Sequence, residues 1–115
     1  NTMRKIPPRM RLEMAEDRYY KKCCLSSYTG QIIDLGGCEG RIEYHHNLIY
    51  GGRQVNETFC ILPVCHNHHM MADKKEVKEL LNWVMLSRAT QMEMLTYSKA
   101  VDYRKLFVSL NKKYG

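Results

Sequence analysis

"RIEYHHNLIYGG", residues 41–52, places two adjacent histidines, His45 and His46, between a short strand-like run and a Gly51-Gly52 pair. Neighbouring side chains on a strand project to opposite faces. Two imidazoles at one point of the chain therefore meet two different surroundings. Such a pair suits a division of labour in which one ring ligates a metal and the other moves a proton. An imidazole with an ordinary pKa of about 6.5 can do either near neutral pH.

Working outward, the chain's five cysteines (Cys23, Cys24, Cys38, Cys60, Cys65) and five histidines (His45, His46, His66, His68, His69) all lie between positions 23 and 69. An odd number of cysteines, interleaved with histidines and without a visible secretory signal, favours metal ligation over a disulfide framework. Charge follows the same division. The net charge is +6, but residues 23–73 hold only Arg41 and Arg53 against five acids, and Lys and Arg crowd the flanks. A basic chain with an acidic Cys/His centre suits a polyanionic partner held around bound cations, although ordinary solvated basic helices would look similar. No stretch is long and apolar enough for a membrane span, so a cytoplasmic protein with no membrane partner is expected.

At 115 residues the length fits one domain, with a modest core. Pro7-Pro8 precedes a charged, helical stretch over residues 9–22, whose thin apolar face (Met10, Met14) predicts a peripheral arm. Residues 31–46 read as short extended pieces punctuated by Gly30, Gly36, Gly37 and Gly40, and residues 47–60 as loop. Pro63 argues against a helix through "CILPVC". Val77, Leu80, Leu81 and Val84 fall at i, i+3, i+4 and i+7, and Tyr103, Leu106, Phe107 and Leu110 repeat that spacing, so each predicts an amphipathic helix. The expected organisation is a basic helical arm (1–22), a Cys/His core (23–87) and a helical extension (88–115). Trp83, Met85, Met92 and Met94 read as core or gap filler, and Cys60 as a buried free thiol.

In "LPVCHNHHMMAD", a helix starting near His66 would put His69 and Asp73 at i, i+4 on one face. With a third ligand from the His45-His46 pair they can hold one divalent ion and leave the other histidine free beside it. That arrangement suffices for phosphodiester hydrolysis, the free histidine acting as general base. Asp73 alone would be an ordinary first-turn acid. A second set, Cys24, Cys38, Cys65 and His68, has the composition of a closed structural zinc site; Cys65 and His68 have knuckle spacing. Cys23 is an alternative to Cys24, and His66 to His68. Such a staple would pin the glycine-rich segment to the helix start. Arg53, after the two glycines, and Lys74 and Lys75 are candidate phosphate contacts, with exposed solvated cations as the alternative. Tyr19, Tyr20 and Tyr28, among Lys21 and Lys22, are a weak nucleic-acid signal.

The run Cys24, Cys38, His45-His46, Gly51-Gly52, Cys65-His66-Asn67-His68-His69 and Asp73 resembles the HNH endonucleases of the ββα-metal group, as found in phages, colicin nuclease domains and small prophage proteins. The resemblance spans residues 24–73. It implies an α+β fold with a small ββα-metal core, a structural zinc and flanking helices. It further implies that His45, His69 and Asp73 ligate Mg²⁺ or another divalent ion (Mn²⁺, Ni²⁺, Zn²⁺) and that His46 is the general base. The substrate would be DNA, held mainly through phosphates and cut to 5′-phosphate and 3′-hydroxyl ends, in a phage or host recombination or packaging protein of open oligomeric state. The sequence departs from the pattern where the family's asparagine is replaced by Cys60. Asn56, four residues out of register, is the candidate to take its work of tying the loop between strand and helix. Two alternatives stand: a zinc-stapled nucleic-acid-binding module without cleavage, and a zinc-finger protein–protein adaptor.

Overall fold

The structure is a computed structural model that describes residues 5–28 and 35–115. Gly30 and residues 31–34, part of the expected extended stretch, lie outside it. The described chain is α+β. It runs through α1 (Pro8–Glu16), a 3-10 turn (Arg18–Lys21), β1 (Ile42–His46), β2 (Ile49–Tyr50), β3 (Arg53–Gln54), a second 3-10 turn (Thr58–Cys60) and β4 (Ile61–Cys65). Helices α2 (His66–Met70), α3 (Lys75–Arg88), α4 (Gln91–Tyr97) and α5 (Tyr103–Tyr114) follow. No helix among the described residues is long and apolar enough to cross a membrane.

The central ladder is β1 antiparallel to β4, in a register that sets His45 opposite Leu62 and His46 opposite Ile61. Between these strands, β2 and β3 form a small hairpin whose turn residues, Gly51 and Gly52, both have positive φ (61° and 78°). Two positive φ values in succession are what a tight hairpin turn needs, so the Gly-Gly pair makes a hairpin where a loop is expected. Pro63, opposite Tyr44, is accommodated because β4 has no ladder partner on its other side among the described residues.

All five residues of β4 are buried, without alternation, because both faces of the ladder are covered. Leu62 and Val64 face the main core with Val77, Leu80, Leu81 and Met85 of α3, Met94 of α4 and Leu110 of α5. Ile61 faces the other way and packs with Ile6, Met14 and Tyr20. The expected peripheral arm is therefore corrected. Met14 is 1 % exposed, and the Tyr20 hydroxyl lies 2.6 Å and 2.9 Å from the carbonyl oxygens of Thr58 and Ile61. A thin stripe suffices because one buried methionine and one tyrosine fill the available ladder face. The two sequence-predicted amphipathic helices are α3 and α5. Trp83 stacks on Tyr114 and donates Nε1–H to Asn111 Oδ1 at 3.0 Å, while Met92 stays exposed.

The segment entering β1 lies across the start of α2. The carbonyls of Arg41 and Glu39 accept from the amides of His66 (2.9 Å) and Asn67 (3.1 Å), and Cys65 Sγ accepts from His68 N–H. These are amides a helix start leaves without intrahelical partners. Gly40 makes the approach: its φ is +84°, and a Cβ there would sit 2.7 Å from His66 Cβ. Gly40→Ala is expected to cost about 2–4 kcal/mol, combining left-handed strain with the clash. A denaturant midpoint equivalent to less than about 0.5 kcal/mol of change would contradict this.

Candidate metal centre and histidine cleft

Two groups of chemistry-bearing side chains lie on either side of α2. The first is Cys23, Cys38, Cys65 and His68, whose ligand atoms all lie within 4.8 Å of one another. Among the described residues it is the one group of three or more such donors this close together. His68 is fully buried, and its Nδ1 is 3.6 Å from Cys23 Sγ, 3.7 Å from Cys38 Sγ and 3.2 Å from Cys65 Sγ. Tetrahedral zinc, about 2.3 Å from sulfur and about 2.0 Å from nitrogen, places N and S about 3.5 Å apart. The observed separations bracket that value.

The imidazole is also in the right tautomer. His68 Nε2–H donates to Gly36 O at 3.1 Å, leaving the Nδ1 lone pair toward the sulfurs. Burial, then Cys23, pushes the Cys38 thiol up to about 12, and burial also raises Cys23. Against the upward push of burial, amides of His68 and Glu39 draw the Cys65 thiol down. Only a bound cation lets all three ionise together. The donor set fits a structural metal such as zinc.

Cys24 is the correction to the expected set. Its backbone N–H donates to Pro63 O at 2.8 Å, its thiol is pushed up by burial, and it lies outside the cluster. Cys23, one residue earlier and buried, supplies the thiol instead. His66, the alternative to His68, is exposed and bonds Glu43 instead.

The second group lines a cleft of about 590 Å³ that brings together His45, His46, His69 and Asp73. Strand alternation delivers the first two. Glu43 and His45 face α2, while Tyr44 and His46 face the arm side. The rings of His45 and His69 meet edge to face at 5.2 Å. His45 Nε2–H donates to Asn47 Oδ1 at 3.2 Å, and Asn47 donates to Asn82 Oδ1 at 3.0 Å. Burial, then the nearby His69, lowers the His45 pKa to about 4, so this ring is neutral at neutral pH.

His69 Nδ1–H donates to Glu43 Oε1 at 2.7 Å, and Glu43 Oε2 lies 3.0 Å from His66 Nδ1. Hydrogen bonds from His69 and His66 hold the Glu43 carboxyl down at about 2. A carboxylate on one nitrogen of an imidazole is the usual support for a ring whose other nitrogen binds metal. Sequence reasoning missed Glu43; the signal was its place two residues before His45, on the same strand face.

His46 has a different partner. Its Nε2 is 2.7 Å from Asn56 Oδ1, and Asn56 Nδ2 donates to the Lys5 carbonyl at 3.1 Å. The anchored amide presents its oxygen to the ring, so Nε2 carries the proton and Nδ1 is the basic nitrogen. Asn56 thus orients His46. The loop tie expected of it falls to Cys60, fully buried, with Sγ 3.4 Å and 3.2 Å from the carbonyl oxygens of Val55 and Glu57. Burial pushes that thiol up to about 12, as suits a structural cysteine.

Helix α2 ends at Met70 and α3 begins at Lys75, so Asp73 lies in the intervening turn and not one helical turn beyond His69. The turn allows Ala72 and Val77 both to be buried, which displaces the expected i, i+4 geometry. Asp73 still lines the cleft, but His45, His69 and Asp73 do not close to within 4.8 Å as the cysteine cluster does. Lys74 and Lys75 are exposed and do not line the cleft, whereas Lys78 does. Arg53 borders a separate hollow beside Asn56 and Tyr97. Tyr19 and Tyr20 pack the arm, with the Arg88 guanidinium 3.7 Å from the Tyr19 ring centre. Comparison with family models, curated proteins and solved structures finds no match.

Proposed function

We propose that this chain is a metal-dependent endonuclease that hydrolyses phosphodiester bonds of DNA, with His46 as general base. The observation that carries the proposal is the held pair His46–Asn56 opening on the same cleft as His45, His69 and Asp73. The donor set fits a divalent ion: each imidazole keeps one nitrogen after its bond to Asn47 or Glu43, and Asp73 adds an exposed carboxylate. When bound, the ion supplies charge neutralisation at the scissile phosphate and the leaving oxygen. His46 Nδ1 accepts the proton of the attacking water, and Asn56 Oδ1 steadies the imidazolium that results. Lys78 adds positive charge at the cleft wall. The cysteine cluster anchors the segment before β1 to the start of α2, which fixes the relation of His45 to His69.

One observation favours a second reading, a nucleic-acid-binding module without cleavage: the His45, His69 and Asp73 donors are not drawn together. Incubating supercoiled plasmid with the zinc-loaded protein, with or without added Mg²⁺, Mn²⁺ or Ni²⁺, separates the two. Ion-dependent nicking is expected. Retarded plasmid with no nicking under any ion would establish the binding module instead.

A further inference from the structure

A second hollow, of about 800 Å³, opens between the arm and β1 and shares Tyr44 and His46 with the histidine cleft. Its walls carry Lys5, Arg11 and Arg41. All three cations are exposed, two contributed by the arm and one by the residue just before β1. The one acid in the lining, Glu43, already holds His66, His69 and Arg41. The groove is therefore cationic, and it leads to His46 from the arm.

Its aromatic surface is already occupied. The Tyr44 ring meets Tyr20 edge to face at 5.7 Å, and the Arg11 guanidinium lies 5.8 Å from its centre. The one tyrosine of the lining is thus already in contact with two side chains. What remains is cationic donors, which read phosphates and not sequence. The arm wall is held in place by Ile6, Met14 and Tyr20 on Ile61, and the Lys5 carbonyl is the group that anchors Asn56 behind His46.

We propose that this groove is a sequence-blind track for the phosphodiester backbone flanking the scissile phosphate, with Lys5 and Arg11 each neutralising one phosphate and Arg41, whose exposed pair with Glu43 is weak, exchanging it for a third. The inference rests on the nuclease reading for what happens at His46, but the track itself is a binding property. The arm then has two tasks: its side chains hold the strand, and its backbone positions the base.

The test is binding of a fluorescein-labelled DNA duplex to the zinc-loaded protein, without added divalent ion, by anisotropy between about 50 and about 200 mM salt. Each lost phosphate contact lowers the slope of log K against log salt by about 0.9. Arg11→Ala is expected to remove about one such contact, and the Lys5→Ala/Arg11→Ala/Arg41→Ala triple two to three. Lys112→Ala, on the last turn of α5, should leave the slope alone. Zinc content and thermal melting are checked on every variant, and the exposed single sites serve if the triple variant misfolds. A triple variant, or failing that Lys5→Ala and Arg11→Ala, with the parent slope overturns the track, as does an equal loss from Lys112→Ala or no binding by the parent. If the slope falls as expected but plasmid is never nicked, the track stands and the nuclease reading fails. If the parent nicks plasmid and the variants keep its slope, only the track fails.

Discussion

His68→Ala is expected to leave no cooperative thermal transition. His68 is fully buried between three sulfurs and the Gly36 carbonyl, and without its imidazole the cluster keeps three thiols that resist ionising together. Structural zinc contributes about 10–16 kcal/mol of apparent free energy to small zinc domains. A domain's whole stability is about 5–15 kcal/mol. With zinc as the ion of this cluster, its loss would exceed what a chain of this size can absorb. Metal analysis should find about one zinc per chain in the parent, and a strong chelator with heating should reproduce the variant's behaviour. The neighbouring cysteines give a sharper contrast. Cys23→Ser should lose the metal, and Cys24→Ser should keep it. A zinc-free parent that melts cooperatively would overturn the staple, and the reverse pattern would restore Cys24 as ligand.

The second large effect is on rate. His46→Ala is expected to slow plasmid nicking by about 10²–10⁴-fold, the usual contribution of a positioned general base. That is about 3–5 kcal/mol in the barrier. Melting and zinc content should stay near the parent's, because His46 is half-buried and outside the cluster. Asn56→Ala should act through the same ring, with a smaller loss of its own. Added to His46→Ala it should cost little more, since residues working as one unit do not add. Nicking that persists at the parent rate in His46→Ala would remove His46 from the chemistry. A fully additive double variant would separate Asn56 from it.

The legible and illegible parts of this molecule divide along physical lines. Cys65 and His68 could be read because their spacing is local and the backbone of a helix start brings them together. The opposed environments of His45 and His46 followed from strand alternation alone. The helices around Leu80 and Leu106 followed from their period. Cys23 against Cys24 could not be decided locally, because which of two neighbours turns inward depends on a hydrogen bond to Pro63, about forty residues away. Asp73 lines the cleft with His45 and His69 without the expected helical spacing, since helix continuity yields to the burial of Ala72 and Val77. Glu43 and the Asn56–Lys5 link depend on tertiary contacts that no periodicity encodes.

The link from the Lys5 carbonyl through Asn56 ties the His46 ring to the first of the described residues. The cysteine–histidine cluster and the main core make no use of Lys5. A protease that cut between Lys5 and Ile6 would remove that carbonyl and spare the buried Ile6, so the remaining protein is expected to keep the cysteine–histidine cluster intact and to melt near its parent. On the nuclease reading it would have lost the anchor behind His46, so nicking would fall while the centre stayed whole.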